Sequence, residues 1–378
     1  MSDDSLDKLR CLIEDLDAAL LKLLNQRASV STEIGKLKVK SGLSIYDHRR
    51  EASIFKYLAE QNQGPLNNQE INRIFSEIIS VSRRLQSNIA GNDSGIEMRP
   101  ATENGTGTLI GHTSVYCILG NPIAHSMSPM MHNAAFRLLD MDAIYVPFEV
   151  QDLQGAVAGI KALGIKGASV THPFKREIFA FIDKIDDTAE KIGAVNTLVY
   201  GTEGLRGTNT DWVGAVRCLE ALLPIQDHKF VVIGAGGAAR AVVFGITSKG
   251  GEVVIVNRSE EKGRSLAKEF DCTFVSLSEI ESAHGDCLVN TTPIGMYPKE
   301  DKMPVPERVL GAFKAVADVI YNPLETMLLR KAEAAGCMVA GGLEMFVFQG
   351  GEQFRIWTGK EPPVEFMRNL VLERLTKP

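Results

Sequence analysis

Three groups of residues have the types and spacing to do chemistry. The first lies within Lys229–Gly245, KFVVIGAGGAARAVVFG. Phe230–Ile233 is a short apolar run rich in β-branched residues, which reads as a buried parallel strand. Gly234-Ala235-Gly236-Gly237-Ala238-Ala239 follows with the spacing G-x-G-x-x-G/A, and an apolar helical pattern comes next. In that context Gly234 permits the tight turn and Gly236 lets the backbone approach a pyrophosphate. Ala239 allows close helix–strand packing, and the bare N–H groups of the helix start face the phosphates. A second strand, Glu252–Val256, ends in Asn257-Arg258-Ser259, with Lys262 four residues beyond Arg258. Folds that bind NAD place Asp or Glu here, on the ribose 2′-hydroxyl. An acid would repel a 2′-phosphate, whereas a guanidinium can grip it through paired hydrogen bonds. The cofactor read from these residues is NADP(H).

The second group lies near the start of the chain. From Ser5 to Lys40 there is no Pro, and Gly35 is the only Gly. Leu6, Leu9, Ile13, Leu16, Leu20 and Leu23 recur at three and four, which predicts one long amphipathic helix in need of a partner helix. At about 100° per residue, Leu16, Leu20, Arg27, Ile34 and Lys38 fall within about 40° of one another. Two cations therefore stand in core register, and Arg10 lies just beyond the edge. After Ser41-Gly42 a second helix, which Asp47 could cap, places Arg50 on one face with Ile54 and Leu58 and stops at Gly64-Pro65. Asn67-x-x-Glu70 resembles a capping box and opens a third helix. Its core register runs Ile71, Phe75, Ile78, Ser82, Gln86, so the last two positions are polar. Buried cations need anionic company, which is either a neighbour such as Glu33 or Glu51 or a bound anion.

The third group is spread over the rest of the chain. Val115–Leu119 is a strand that leads through Gly120-Asn-Pro-Ile-Ala-His125-Ser126-Met-Ser128-Pro129 into a helix. Ser126 and Ser128 there could bind a carboxylate or a hydroxyl, or cap the helix. Strands are expected at Ala143–Glu149 and Gly167–Val170. The latter precedes Thr171-His172-Pro173-Phe174-Lys175, which should open a helix near Arg176, a place where the macrodipole disfavours a cation. Asn196 and Asp211 add an amide and a carboxylate. With Lys175 they form a polar set suited to a hydroxylated ring. His125, His132 and His172 lack metal-ligand spacing, so no metal site is expected.

The elements that must position these groups follow from the whole chain. At 378 residues, two or three domains are expected. A mixture of 44% hydrophobic and 23% charged residues is that of a globular protein. The net charge of −6 leaves no footprint for nucleic acid or an anionic membrane. Six scattered cysteines without C-x-x-C suit a reducing compartment. MSDDSLDKLR has no apolar signal core and there is no run of 18 apolar residues, so a cytoplasmic protein is expected. The Gly-, Ser-, Asn- and Thr-rich stretch from Ala90 to Thr113 reads as a flexible linker.

Leu9-Arg10-x-x-Ile13, Leu16-Asp17, Gln26-Arg27, Ile34-Gly35-Lys36-x-Lys38, Asp47-x-x-Arg50-Glu51 and Ser82-x-x-x-Gln86 resemble the all-helical chorismate mutases over about residues 5–87. The resemblance implies a helical homodimer in which Arg27, and Arg10 from the other chain, hold the carboxylates of chorismate. It implies that Lys38 and Gln86 donate to the ether oxygen, and that Asp47, Arg50, Glu51 and Ser82 complete the pocket. The rearrangement needs a compact conformer and positive charge at the breaking C–O bond, which Arg, Lys and Gln supply.

Gly-Asn-Pro-Ile-x-His-Ser-x-Ser-Pro, Val-Thr-x-Pro-Phe-Lys, Gly-Ala-Val-Asn-Thr, Asn-Thr-Asp and Gly-Ala-Gly-Gly-Ala-x-Arg resemble shikimate dehydrogenase over about residues 114–378. The resemblance implies reversible reduction of 3-dehydroshikimate to shikimate, with Lys175 and Asp211 as the catalytic pair. It places Ser126 and Ser128 on the substrate carboxylate, and Thr171, Asn196 and Gln349 on its hydroxyls. Gly234–Ala239, Asn257, Arg258 and Lys262 would hold the cofactor phosphates, with Met296, Tyr321 and Gly342 near the nicotinamide. The sequence departs from the pattern at Ser169, Trp212, Glu344 and Phe348, and Trp212 is the departure that could alter substrate choice.

The expected fold is multidomain. An all-α mutase domain (residues 1–88) and a linker (89–113) precede an α/β dehydrogenase. In the latter a substrate domain (114–215, completed by 346–378) is split around a Rossmann NADP domain (216–345). An alternative is a shikimate or quinate dehydrogenase whose first helices serve only dimerisation or chorismate sensing.

Overall fold

The computed structural model describes residues 3–41, 48–89, 109 and 111–376, which fall into two units. The first unit holds α1 (Asp3–Lys40), α2 (His48–Gln61) and α3 (Asn68–Ile89). With no Pro in 38 residues, α1 runs unbroken, a length of about 57 Å at 1.5 Å per residue. The capping box at α3 is reciprocal. Asn67 N donates to Glu70 Oε2 at 2.8 Å, and Glu70 N donates to Asn67 Oδ1 at 2.9 Å. α3 packs along α1, and α2 against α3. Much of the α1 stripe stays uncovered within one chain: Leu9, Leu16 and Leu20 are 58%, 60% and 53% exposed. Asp47 lies outside the described residues, as does nearly all of the stretch expected to be a linker.

The second unit begins with β1 (Ser114–Gly120), α4 (Ser128–Leu138), β2 (Ala143–Glu149), α5 (Leu153–Leu163) and β3 (Gly167–Val170). It continues with β4 (Lys184–Ile185), α6 (Asp187–Ile192), β5 (Thr197–Gly201), β6 (Gly204–Thr208) and α7 (Asp211–Glu220). These strands form a mixed sheet of order β2-β1-β3-β5-β6-β4. β1 and β3 are parallel, β5 runs antiparallel to β3, and β6 turns back antiparallel to β5.

Next come β7 (Lys229–Ile233), α8 (Gly237–Ser248), β8 (Glu252–Asn257), α9 (Glu260–Glu269), β9 (Thr273–Ser276) and β10 (Cys287–Asn290). β11 (Ala315–Asp318), α10 (Met327–Ala334) and β12 (Met338–Ala340) complete a second, all-parallel sheet of order β12-β11-β10-β7-β8-β9. That is the doubly wound order, with the switch point between β7 and β10. Its strands are near-continuous apolar runs because helices cover both faces. The chain then returns through α11 (Leu343–Thr358) and α12 (Val364–Thr376) to the first sheet. There Val347, Phe354, Met367 and Val371 bury against Tyr116, Phe136 and Tyr145.

One local expectation fails. Lys175 does not open an α-helix; the chain makes a single 3₁₀ turn at Glu177–Ala180. Phe174 and Ile178 are both buried and the chain must turn back into β4, which leaves room for one turn. So short a turn has little dipole to oppose the Lys175 cation.

Candidate functional site

In the second unit, four segments far apart in sequence converge. Lys175 follows β3, Asn196 precedes β5, Asp211 opens α7, and Gln349 lies in α11. Gly214 in α7 lets α11 come close, since a Cβ there would lie 2.4 Å from the Met345 carbonyl oxygen. Lys175 Nζ meets Asp211 Oδ2 at 2.5 Å, their side chains 19% and 7% exposed. Asn196 Nδ2 donates to Asp211 Oδ1 at 2.8 Å and lies 3.3 Å from Gln349 Oε1. The Asn196 amide is held the right way round by Thr210 N and Thr197 Oγ1, which donate to its Oδ1 at 2.8 and 2.7 Å. Asp211 therefore accepts from two directed donors, and its partner cation is held at a partly open edge. Such a pair can pass a proton to or from a substrate oxygen, or balance charge upon it.

Ser126 and Ser128 sit together at the start of α4, where Ser128 N donates to Ser126 Oγ at 3.3 Å. Ser126 Oγ thus receives an N–H at the helix start, and Ser128 is buried with its side chain against Tyr145. Thr171, half-buried, follows β3 directly and donates its N–H to Leu119 O at 2.9 Å, its methyl group against Gly120.

Beneath Asn196 runs a buried relay that the sequence reading missed. Tyr145 OH donates to Ser169 Oγ at 2.6 Å, and Ser169 donates to Gln353 Oε1 at 2.8 Å. Gln353 Nε2 in turn donates to Thr197 Oγ1 at 3.0 Å. The signal was present: Gln353 stands one helical turn beyond Gln349, on the same face of α11. His132 stacks on Tyr145 with ring centroids 4.6 Å apart. Trp212, the departure that could alter substrate choice or rate, packs edge-on against Phe244 of α8 at 5.6 Å. The other departures are also accounted for within the fold: Glu344 pairs with Arg368, and Phe348 lies under Arg217.

The N-terminus of α8 forms a cradle of the kind a dinucleotide would need. Gly234 has φ +119°, and a Cβ there would strike Thr291 Oγ1 at 2.5 Å. Gly236, the N-cap, offers no side-chain cap and faces open space. The first N–H groups of α8 are thus free of a side-chain cap and approachable, which suits a pyrophosphate. Gly237, Ala238 and Ala239 form the first turn; Ala235 lies on the loop. Asn257 Nδ2 donates to Ser259 O at 2.8 Å and shapes the turn that carries exposed Arg258, with Lys262 in the first turn of α9. No acid ends β8. The residues present fit NADP(H). Further along the switch point, Met296 is exposed, Tyr321 stacks on Phe346 at 4.3 Å, and Gly342 caps α11. Burial raises the Tyr321 phenol above its ordinary pKa.

In the first unit, Arg27 donates to Ser82 Oγ and approaches Ile78 O at 3.4 Å. Ser82 and Gln86 are buried, and Lys38 is half-buried beside them in register. Arg10 and Arg50 are exposed, and Arg10 pairs with Asp7 at 3.0 Å. Glu33 pairs with Lys36 on the surface rather than with the cations of the stripe. The side chain of Glu51 lies outside the described residues. One chain thus joins Arg27 to Ser82, sets Gln86 against Gly35 one turn before Lys38, and leaves Arg10 apart. Among the described residues no group of acids, histidines and cysteines could hold a metal, and no helix is long and apolar enough to cross a membrane.

Family models match along the chain. Chorismate mutase type II matches residues 9–87, and the shikimate dehydrogenase substrate binding domain matches 118–198. Shikimate / quinate 5-dehydrogenase matches 218–292, and the shikimate 5'-dehydrogenase C-terminal domain matches 342–372. The NADP(+) shikimate dehydrogenase of Methanothermobacter thermautotrophicus is 42% identical over 281 residues, 71% of this chain and 99% of that protein. That of Pyrococcus abyssi is 43% identical over 265 residues, 70% of this chain and 99% of that protein. Among solved structures, a shikimate dehydrogenase in complex with NADP+ superposes with a TM-score of 0.67 at 40% identity, covering 71% of this chain and 98% of that chain. A chorismate mutase/shikimate 5-dehydrogenase fusion protein from Clostridium acetobutylicum gives 0.67 at 34% identity, covering 70% and 99%.

Proposed function

The chain belongs to the shikimate dehydrogenase family and carries a chorismate mutase type II domain ahead of it, and on that footing we propose how its residues divide the work. The protein is a bifunctional enzyme of aromatic biosynthesis, an isomerase converting chorismate to prephenate and an NADP-dependent oxidoreductase interconverting 3-dehydroshikimate and shikimate. Residues 1–88 form the mutase domain and 89–113 the linker. Residues 114–215 with 346–378 form the substrate half of the dehydrogenase, and 216–345 the cofactor half.

The observation that carries the dehydrogenase assignment is the Lys175–Asp211 pair, held by Asn196 against Gln349. NADP(H), when bound, supplies or accepts the hydride. Lys175 and Asp211 handle the proton at the substrate oxygen and balance charge there. Ser126 and Ser128 hold the carboxylate, while Thr171, Asn196 and Gln349 position the hydroxyls. Gly234–Ala239 and the α8 N-terminus receive the pyrophosphate, Asn257, Arg258 and Lys262 the 2′-phosphate, and Met296, Tyr321 and Gly342 the nicotinamide.

In the mutase, Arg27 binds a carboxylate, and Lys38 and Gln86 stabilise the ether oxygen as its bond breaks. Asp47, Arg50, Glu51 and Ser82 line the pocket. The exposed leucines of α1 and the distance of Arg10 from its set support a homodimer in which each chain lends Arg10 to the other. The enzyme acts on small molecules and works in the cytoplasm.

The test is to follow chorismate in the purified chain with NADP(H) omitted, and then shikimate-dependent NADPH formation. Both activities are expected. A flat chorismate trace beside an active dehydrogenase would reduce residues 1–88 to an assembly or sensing module. Oxidation of quinate with NAD and not of shikimate with NADP would overturn the substrate and cofactor assigned to the rest.

A further inference from the structure

We propose that Arg240 is a positioning residue of the dehydrogenase site, tying the cofactor-binding helix to the turn that carries Asn196. The proposal rests on the dehydrogenase reading of that site. Arg240 lies in the first half of α8, the helix whose N-terminus forms the phosphate cradle, and is only 5% exposed. It does not face the cradle. Its Nε crosses to the other sheet's side of the unit and donates to Ile192 O at 2.5 Å. Ile192 ends α6, and Gly193 caps that helix in the left-handed conformation, φ +66°. A Cβ on Gly193 would lie 2.4 Å from Arg240 Nη2, so guanidinium and turn are in direct contact. The unpaired carbonyls at a helix C-terminus are a favourable place for a cation. The other arm of the guanidinium pairs with Glu269 at the end of α9.

The turn so held carries two parts of the catalytic set. Val195 N donates to Lys175 O at 2.8 Å, and Asn196 donates to Asp211. Ile192 and Ala194 also pack against Ala241 of α8, with Trp212 and Phe244 around them. Apolar packing brings the two halves together without fixing their register, because it is non-directional. A guanidinium held at both edges is directional. An ion pair whose acid is 42% exposed adds little net stability, so geometry is the better account of this one. Arg240 therefore sets the separation between the hydride donor on one half and the substrate on the other.

Arg240→Gln should lower kcat for shikimate oxidation about 10- to 100-fold, the cost of a displacement near 1 Å in the reacting geometry. Affinity for shikimate without cofactor, read by tryptophan fluorescence, should stay within about threefold, because the groups that bind it lie within one half. The KM for NADP+ should likewise hold. Glu269→Gln keeps an acceptor for Arg240 and should retain kcat. Arg240→Lys keeps the charge but cannot place a donor where Nε sits; it should melt near the wild-type temperature with kcat still reduced, and it decides the matter if Arg240→Gln does not fold. Wild-type kcat in Arg240→Gln or Arg240→Lys would overturn the proposal. So would equal losses in Arg240→Gln and Glu269→Gln, or a raised NADP+ KM at unchanged kcat. A wild-type chain without shikimate-dependent NADPH formation would refute the dehydrogenase reading instead.

Discussion

Asp211→Asn tests the proposed role of the Lys175–Asp211 pair at constant shape. Asp211 accepts from two donors at once, Lys175 Nζ on Oδ2 at 2.5 Å and Asn196 Nδ2 on Oδ1 at 2.8 Å. An asparagine offers one oxygen and one NH₂, so one of the two donors must face another donor. If Asn196 keeps its partner, Lys175 is released. If Lys175 keeps its partner, Asn196 loses its bond, and Thr210 N prevents its amide from turning over. A buried donor left unpaired costs about 1–3 kcal/mol, and breaking a buried ion pair about 3–5 kcal/mol. Because the Lys175 side chain keeps 19% of its surface in water, the lower range applies to stability, about 1–3 kcal/mol. The loss in turnover is larger, since a misplaced acid–base group forfeits about 10²–10⁴ in rate. Absorbance of NADPH with saturating shikimate and NADP+ gives kcat, and thermal melting gives stability. A folded Asp211→Asn enzyme within about tenfold of wild-type kcat would refute this account of the pair.

Arg258→Ala should raise the KM for NADP+ by about 10- to 100-fold, as expected for a lost charge-assisted phosphate contact, and leave kcat largely unchanged; unchanged affinity would remove Arg258 from the 2′-phosphate site. Arg27→Ala should abolish chorismate conversion while shikimate oxidation in the same sample persists, and a working mutase would exclude Arg27 from the carboxylate site. Because Gln86 is neutral without a proton, mutase kcat should be flat from about pH 5 to 8, and a collapse in that range would count against its role. Two buried groups should oppose each other in stability. Neither ring nitrogen of His132 has a hydrogen-bond partner among the described residues; burial pushes it down to about 3, with the nearby Gln353 amide opposing only in part. Its unfolded form binds more protons between that value and about 6.5, so its share of stability is lost as pH falls through that window. Burial raises Asp318 to about 7 against the hydrogen bonds of Ile320, Thr326 and Asn290, so there the folded form binds more protons and stability falls as pH rises from about 4 to 7. Urea unfolding should show a shallow pH profile in the wild type. His132→Phe should unmask the falling limb and Asp318→Asn the rising one; parallel profiles in all three proteins would show that neither group titrates as described.

Much of this molecule was legible in its residues because the signals are local. β2 and β3 lie where alternation and β-branched runs place them, and the Asn67–Glu70 box opens α3 because its two hydrogen bonds span three residues. The glycine turn before α8 was legible for the same reason: φ +119° at position 234 is a property of one residue. The cations of α1 were placed on its apolar stripe by helical period alone. Which acid each would meet was not, and Glu33 turned outward to Lys36.

What only the tertiary structure decided is the company each side chain keeps. Lys175, Asn196, Asp211 and Gln349 span 175 positions of sequence. They meet because the β5–β6 hairpin reverses against β3 and because α11 leaves the second sheet to pack on the first. Trp212, next to Asp211 in sequence, packs in space against Phe244 of α8. The Tyr145–Ser169–Gln353 relay and the Arg240 tie each draw on strands or helices from distant parts of the chain. A backbone preference acts over a few residues, so sequence alone determines turns, caps and periods. The free energy of burying a polar group depends on the partners that folding brings to it, and those are chosen by how the sheets and helices pack.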